Sequence, residues 1–154
     1  MADAREIALL AVQRAHADLE RNARAVPAHL HHWLPGGHAR TLVQVVAHCG
    51  VWNQFLAAVI GRLPLPYRTK DEEDAAIASC ETLEAALALL DRGTAAVQES
   101  IRGVDDAFLE STVTMPWGER LPAAIGLLLP AQHMHYHDGQ ISLMQLLTGD
   151  DDYH

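Results

Sequence analysis

One stretch of the sequence repeats mostly apolar residues at alternating intervals of four and three positions. The residues at these intervals are Leu83, Leu87, Leu90, Thr94, Val97 and Ile101. On an α-helix they share one face, and a helix with one continuous apolar face must bury it against other elements. The alternation of four and three is typical of helices that pack on helices. The stripe therefore predicts a helical bundle.

Three other segments also have the apolar spacing of helices. We predict helices at residues 3–24, 41–60, 75–102 and 121–147. A long connection, which includes a charged linker at residues 68–74, separates the second helix from the third. A chain of 154 residues is long enough to bury one full core, and no interior linker divides it. We therefore predict an all-α four-helix bundle, with residues 1–154 as a single domain.

Prolines and one polar pair indicate where these helices end. Pro27 ends the first helix, because its ring would clash with the preceding turn. Thr41 and Gln44 have the spacing of a capping box at the start of the second helix. Pro130 lies inside the last predicted helix, where we expect a kink. Residues 112–121 alternate and contain turn formers, which predicts a loop or a short extended hairpin.

The charge of the chain bears on its partners and location. The formal net charge is −9, whereas nucleic acids and anionic membranes attract basic surfaces. We expect neither as a partner. No apolar run reaches the length of a membrane span, and charges interrupt the N-terminal segment where a signal peptide is apolar. Cys49 and Cys80 are too few for a disulfide framework, so we expect reduced thiols and a cytoplasmic protein.

Histidine is the unusual feature of the composition, with ten residues against only two Phe. His133 and His137 stand four positions apart, so on a helix their rings project from one face about one turn apart. Two imidazoles at that spacing can bind one ion. His135 points to the opposite side of the same helix and cannot join them. Taken alone, the pair is also what a solvated polar helix face would show.

A third candidate ligand, His48, lies on the second helix beside the stripe that we expect to face inward. That stripe consists of Leu42, Val45, Cys49, Trp52 and Leu56. A single histidine in such a position is usually a buried or boundary residue. Two imidazoles from one helix and a third from another would nevertheless form a metal site of the kind that bundle cores contain. Three histidine ligands leave coordination positions open, as catalytic sites do.

Two segments resemble helices of the DinB-like superfamily. TLVQVVAHCGVWNQFLAAVIG resembles the second helix of that family, and HMHYHDGQISLMQLLTGDDDYH resembles its last helix, with the pattern H-x-x-x-H-x-G-Q-I. The WGE element before the last helix is also similar. The resemblance implies a metal site formed by His48, His133 and His137. The sequence departs from the family pattern at Tyr136 and Asp138. These residues flank His137, where family members often have His and Arg.

The resemblance also implies an ion and a reaction type. The ion is usually zinc or nickel, and imidazole ligands suit iron as well. Many members are homodimers. Characterised relatives include thiol-dependent S-transferases and a mycothiol-dependent isomerase, so we expect a metal-dependent enzyme of the thiol S-transferase or hydrolase type, with a low-molecular-weight thiol and a small-molecule substrate. The alternatives are a dimeric, stress-associated bundle whose metal is structural or sensed, and an interaction module without metal.

Other residues are candidates for supporting roles. Gln140 lies on the same helix face as His137, and Asn53 follows His48 by five residues; each is a candidate hydrogen-bond partner of the ligands or a polar group of helix packing. We expect Gly139 to permit a close helix contact. Three tryptophans are candidates for the core or for pocket walls: Trp33, Trp52 and Trp117. Four loop histidines are expected to be exposed: His29, His31, His32 and His38.

Overall fold

Seven helices and one short hairpin make up the computed structural model, which describes residues 3–115 and 117–154. In chain order the elements are α1 (Ala4–Ala25), a 3-10 turn (Ala28–Leu30), α2 (Leu42–Ile60), α3 (Lys70–Ala78), α4 (Leu83–Gly103), α5 (Asp106–Leu109), β1 (Thr112–Thr114), β2 (Arg120–Pro122), α6 (Ala123–Gly126) and α7 (Leu129–Leu147).

The four long helices α1, α2, α4 and α7 form the bundle that the sequence predicts. The most extensive contacts are those of α2 with α4 and of α1 with α7, and α2 also packs on α7. All six residues of the predicted stripe on α4 are buried, from Leu83 to Ile101. The core between the helices is therefore built mainly from aliphatic side chains, with α2 at its centre.

The first two helices begin and end close to the predicted residues. Val26 is the C-cap of α1, and Pro27 follows it directly. At the start of α2 the predicted capping box is present. Gln44 N–H donates to Thr41 Oγ1 at 3.3 Å, and Thr41 N–H donates to Gln44 Oε1 at 3.0 Å. Two of the backbone donors at this end of α2 are thereby satisfied.

The prediction for the third helix is wrong in its first part. The chain forms two helices, α3 and α4, where we predicted a linker at 68–74 and one helix from 75 to 102. Thr82 has an extended conformation and its hydroxyl caps α4 by accepting from Ala85 N–H. Thr69 caps α3 in the same way through Glu72 N–H, and acidic residues follow in the first turn, where the helix dipole favours them. The charged segment is thus a helix start.

The last predicted helix is also shorter than residues 121–147. Its first residues form β2, which pairs antiparallel with β1 and places Val113 opposite Leu121, and then the single turn of α6. The hairpin expectation is confirmed, although Pro116, between the two strands in the sequence, lies outside the described residues. Pro130 stands in the first turn of α7, where its missing N–H needs no partner. The prediction of a kink at Pro130 is therefore wrong, because α7 begins there.

The expectation that no apolar run reaches the length of a membrane span is wrong for α2, whose 19 residues are long and apolar enough to cross one. Among the described residues it alone passes that test, with a mean hydropathy of 1.4. However, 78% of this segment is buried inside the bundle. Its apolar character is accounted for by contacts on nearly all sides with the other helices.

Two glycines allow α2 and α4 to approach each other closely. A Cβ atom on Gly93 of α4 would overlap the carbonyl oxygen of Gly50 on α2, and a Cβ atom on Gly50 would lie 2.7 Å from the carbonyl carbon of Leu89. Gly139, for which we expected a close contact, has no atom within 4 Å of such a Cβ, so that prediction is wrong. The close crossing lies between α2 and α4 instead.

We expect Gly93→Ala to lower the free energy of unfolding by about 1–3 kcal/mol, because the added methyl group forces α2 and α4 apart. The matched control is Gly139→Ala, also within a helix but without steric conflict. It should raise the stability by about 0.5–1 kcal/mol through helix propensity. Urea unfolding followed by circular dichroism measures both. Equal stability of the Gly93→Ala variant and the parent protein would contradict the close contact.

Candidate metal centre

Three histidines from two helices meet between α2 and α7. His48 comes from α2, and His133 and His137 come from α7. One ring nitrogen of each lies within 4.8 Å of the corresponding nitrogen of the other two. None of the three rings is exposed, and His137 is buried, with 4% of its surface accessible. The three residues that the sequence singles out as ligands are therefore close enough to bind one ion.

The shortest distance in this cluster joins the two histidines of α7. The Nε2 atoms of His133 and His137 are 3.1 Å apart, because residues four positions apart lie one above the other on a helix. The His48 ring lies across from both, with ring centroids 5.0 Å from His133 and 4.8 Å from His137. Two nitrogens 3.1 Å apart can both reach one ion at the usual distance of roughly 2.1 Å.

Burial makes all three imidazoles neutral at physiological pH. It lowers the pKa of His48 to about 2 and the pKa of His133 to about 3, with a smaller contribution from repulsion between the rings. The pKa of His137 is also lowered by burial. The positive charge of Arg40 acts in the same direction on all three. A metal ion needs the lone pair of a neutral imidazole, so these rings are in the ligand form.

Gln140 fixes the orientation of His137. The Nδ1–H group of His137 donates to Gln140 Oε1 at 2.8 Å, which leaves the lone pair on Nε2, the atom that faces His133. Histidines that bind metals commonly donate their other N–H to a protein acceptor. The supporting role considered for Gln140 is thus present in the structure, and the spacing of three residues from His137 was the signal for it.

His133 has a ring nitrogen without a hydrogen-bond partner. His133 Nδ1 is buried and makes no hydrogen bond among the described residues. The ring stacks on Trp52, with centroids 5.1 Å apart and planes inclined by 24°. In the cluster without an ion, His133 Nε2 would donate to His137 Nε2, and its Nδ1 would be an unsatisfied acceptor. With an ion bound through Nε2 of both rings, two metal–nitrogen bonds would replace the contact between the Nε2 atoms, and Nδ1 of His133 would carry the proton as a buried donor.

Other candidate residues lie elsewhere. Asn53 donates to Thr94 Oγ1 at 3.1 Å and to Met134 Sδ at 3.4 Å, so it joins α2, α4 and α7 and makes no hydrogen bond to the histidines. His135 is exposed on the other side of α7, as expected. The loop histidines are not part of the cluster. Three are exposed, His29, His32 and His38, and the ring of His31 bonds to the carbonyl oxygen of Val26.

Two of the three tryptophans form the wall of a cavity. Trp52 and Trp117 have ring centroids 5.7 Å apart and line a cavity of about 290 Å³ together with His133 and Tyr136. Trp33 instead packs against the main core. Tyr136, whose ring also contacts His137 edge-on at 5.1 Å, was considered only as a departure from the family pattern. Tyr136 lines the cavity only because the hairpin brings Trp117 close to it. No local sequence pattern predicts this contact.

Burial of the triad predicts how the stability of the metal-free protein depends on pH. The unfolded histidines take up protons near pH 6.5, whereas folded His48 and His133 do so only at much lower pH. Below about pH 6.5 the unfolded chain therefore binds protons that the folded chain does not, and the free energy of unfolding decreases as the pH falls. Above about pH 6.5 these histidines do not lower it. Each proton taken up on unfolding adds about 1.4 kcal/mol per pH unit to the slope.

The measurement is urea unfolding in the presence of a chelator between pH 5 and 8. His48→Gln should reduce the slope of stability against pH relative to the parent protein, because one buried histidine is removed. His135→Gln is the matched control and should leave the slope unchanged. The same slope in the His48→Gln variant and the parent protein would contradict the burial effect.

We further expect Gln140→Leu to weaken zinc binding by about 10–100-fold, because His137 loses the partner that fixes its ring. Gln132→Leu makes the same change on α7 at a residue with no hydrogen bond to a ligand, and should leave zinc affinity within about twofold. Competition with a chromophoric chelator measures both affinities. Equal zinc affinities of the two variants would rule out this role of Gln140.

Comparison with known protein families places this chain in one of them. The family model described as the DinB superfamily matches residues 11–141. No curated protein matches the chain. A solved structure of a conserved protein from Enterococcus faecalis has 12% identity and a TM-score of 0.76, and the match covers 97% of this chain and 100% of that one. At such identities the likeness concerns the fold.

Two further solved structures are similar in fold. A mycothiol-dependent maleylpyruvate isomerase has 15% identity and a TM-score of 0.74 over 92% of this chain, and the match spans 63% of the length of the isomerase. YfiT from Bacillus subtilis, described as a probable metal-dependent hydrolase with an unusual four-helix bundle topology, has 16% identity and a TM-score of 0.71, over 96% of this chain and 89% of that one. With the family model covering most of its length, this chain belongs to the DinB superfamily.

Proposed function

We propose that this protein is a metal-dependent enzyme of the thiol S-transferase or hydrolase type. The observation that carries the proposal is the convergence of three neutral imidazoles beside a cavity large enough for a small molecule. Catalytic metal sites in proteins have three protein ligands and a position open to water or substrate. Of the structural relatives, one is named as a mycothiol-dependent isomerase, which supports thiol dependence, and one as a probable metal-dependent hydrolase, which supports hydrolysis.

The protein residues have distinct roles in this proposal. His48, His133 and His137 hold the ion, and Gln140 orients His137 through its Nδ1–H group. A divalent ion there supplies a Lewis acid that lowers the pKa of a thiol or a water molecule bound to it. Trp52 covers the His133 ring and keeps bulk water from that side. The substrate is a small molecule that enters from the cavity.

The ion in this proposal is zinc or nickel, with iron as the alternative. Imidazole nitrogen is a good ligand for all three, and their choice in the cell depends on availability as well as affinity. For the S-transferase reaction the second reactant is a low-molecular-weight thiol. An ion held by the three histidines would lower the pKa of this thiol, so that its sulfur would be nucleophilic at neutral pH.

We also propose a homodimer in the cytoplasm. Apolar side chains remain exposed on α7, among them Leu143 at 55%, Leu146 at 60% and Leu147 at 60%. Exposed apolar residues grouped on one helix are typical of protein interfaces. Both cysteines are free thiols, which is consistent with a reducing compartment. The acidic chain is expected to bind neither nucleic acid nor anionic membranes.

The alternative is a non-catalytic, stress-associated dimer whose metal is structural or sensed. One observation favours it: among the described residues, the cluster at the site contains histidines and no carboxylate that could act as a general base. If this alternative holds, the metal stabilises the fold, but no thiol transfer or hydrolysis depends on it.

The experiment that tests the proposal compares metal content and activity in histidine variants. His48→Ala, His133→Ala and His137→Ala should each lose most of the bound metal, because two imidazoles remain. The matched control is His135→Ala on the exposed side of α7, which should keep about one equivalent per chain. Elemental analysis after gel filtration measures the content, and the elution volume reports the oligomeric state. Circular dichroism should show unchanged helix content.

Thiol transfer and hydrolysis are then assayed with the metal-loaded parent protein and the same variants. Activity that falls together with metal content supports the enzyme, and metal binding without either activity supports the alternative. Absence of metal from the parent protein, even after loading with zinc or nickel, would contradict both.

A further inference from the structure

A large cavity lies at the end of the bundle where α2 and α4 finish. Its volume is about 570 Å³, within the range of roughly 300–1,000 Å³ that is usual for ligand sites. Gly61, at the end of α2, follows His48 by 13 residues, which corresponds to about 20 Å along a helix. Among the described residues, this cavity shares no lining residue with the one beside Trp52. It is therefore separate from the histidine cluster.

Most of the cavity wall is apolar. The loop after α2 contributes part of it, and the segment that follows α4 contributes another part. The larger apolar side chains are those of Ile60, Leu63, Pro64, Pro66, Val104 and Phe108. Removing apolar surface from water against such side chains is favourable. The wall therefore favours a ligand with an apolar body.

Hydrogen-bond acceptors without a partner belong to the helix ends that line this cavity. Ile60 and Gly103 are the last residues of α2 and α4, and their carbonyl oxygens accept no hydrogen bond from the described residues. Four positions after Ile60 stands Pro64, which has no N–H group to donate. The carboxylates of Glu99 and Asp105 are in the same lining, and neither forms an ion pair among the described residues. These acceptors favour a ligand with an ammonium group.

Arg62 supplies the single positive charge of the lining among the described residues. Its φ of 54° is in the left-handed region, where every other described residue is a glycine. The position is the one that glycine usually takes after a helix, because Leu63 N–H donates across it to the carbonyl oxygen of Ala58 at 2.8 Å. A side chain there strains the backbone, and strain of this kind is often found at ligand sites.

The guanidinium of Arg62 is available to a ligand. Its central carbon lies 5.2 Å from the centre of the Phe108 ring, and it forms no ion pair among the described residues. Asp105 reaches the same residue from another direction, since its Oδ1 accepts from Phe108 N–H at 2.7 Å. An unpaired cation and an unpaired anion thus flank one residue of the wall. Their arrangement is complementary to a small zwitterion, because a guanidinium binds carboxylates and a carboxylate binds ammonium groups.

We propose that this cavity binds a free α-amino acid with an apolar side chain. The ammonium group of the ligand donates to Glu99, to Asp105 and to the carbonyl oxygens at the helix ends. Its carboxylate accepts from Arg62, and its side chain packs on the apolar wall. The site does not depend on the proposed enzyme, since none of these residues belongs to the histidine cluster.

The test uses three probes with one aromatic skeleton. They are L-phenylalanine, 2-phenylethylamine, which lacks the carboxylate, and 3-phenylpropanoate, which lacks the ammonium group. Isothermal titration calorimetry of the full chain measures each affinity, with a chelator present because amino acids also bind metal ions. L-Phenylalanine should bind at one site per chain. Each of the other two probes should bind about tenfold more weakly or worse, because one charged contact is lost.

Two variants separate the two ends of the ligand. Arg62→Gly removes the guanidinium and suits the left-handed backbone, so the variant should fold. It should weaken binding of L-phenylalanine about tenfold and leave that of 2-phenylethylamine within about twofold. Glu99→Gln should weaken binding of both. The matched control is Arg68→Gly, which removes an exposed arginine of the same loop outside the lining and should change neither affinity.

Three results would overturn the assignment. They are the absence of saturable L-phenylalanine binding, equal affinities for L-phenylalanine and 2-phenylethylamine, and unchanged L-phenylalanine binding in the Arg62→Gly variant. Binding that disappears in the His48→Ala variant would place the amino acid at the histidine cluster and overturn it as well. Metal content and activity of the histidine variants test only the proposed enzyme, so the two proposals fail separately.

Discussion

The contact between the backbones of α2 and α4 determines which way the α2 histidine faces. Gly50 and Gly93 have no side chains, so the two helices approach until backbone atoms touch. His48 precedes Gly50 by two residues, which corresponds to about 200° around a helix. The side of α2 that carries His48 is therefore turned away from α4. It faces α7, where the other two histidines lie.

The histidine cluster holds three rings that prefer water away from it. Their low pKa values express that cost, since each ring must give up its proton to be buried. The free-energy cost of desolvation is offset only if the nitrogen lone pairs accept a hydrogen bond or bind an ion. Gln140 satisfies one N–H group, and a cation between the rings satisfies the inward lone pairs. The cluster is therefore organised for an ion before one binds.

Different sides of α7 have different environments. The side that faces α2 carries the histidine cluster, and another side makes polar contacts with α1. His133 and His137 face α2 in the histidine cluster, with Tyr136 at the cavity beside them. On another side, Asp138 accepts a hydrogen bond from Asn22 of α1 at 2.7 Å, within a polar cleft that also includes His135. The helix thus joins α1 through polar contacts and presents His133 and His137 to α2, so that one element supports both the bundle and the histidine cluster.

Local patterns in the sequence were sufficient for part of this description. The four long helices, the capping box at Thr41 and the hairpin each depend on residues within a few positions of one another. The errors were of another kind. The predicted helices at 75–102 and 121–147 are each interrupted, near Thr82 and Pro130, although both segments are apolar enough to form one continuous helix. The chain changes direction at these points to pack on neighbouring helices. Gly139 was misjudged because a small residue shows nothing about what lies opposite it.

The sequence by itself determined that His133, His137 and Gln140 share one face of a helix, because the helical period is a local property of the backbone. It also suggested His48, through its place beside an apolar stripe and through the family resemblance. Only the tertiary structure decided that His48 meets the other two, and that Trp117 from the hairpin closes a cavity with Trp52. Those contacts join residues far apart in the chain, and their geometry depends on how closely the helices pack.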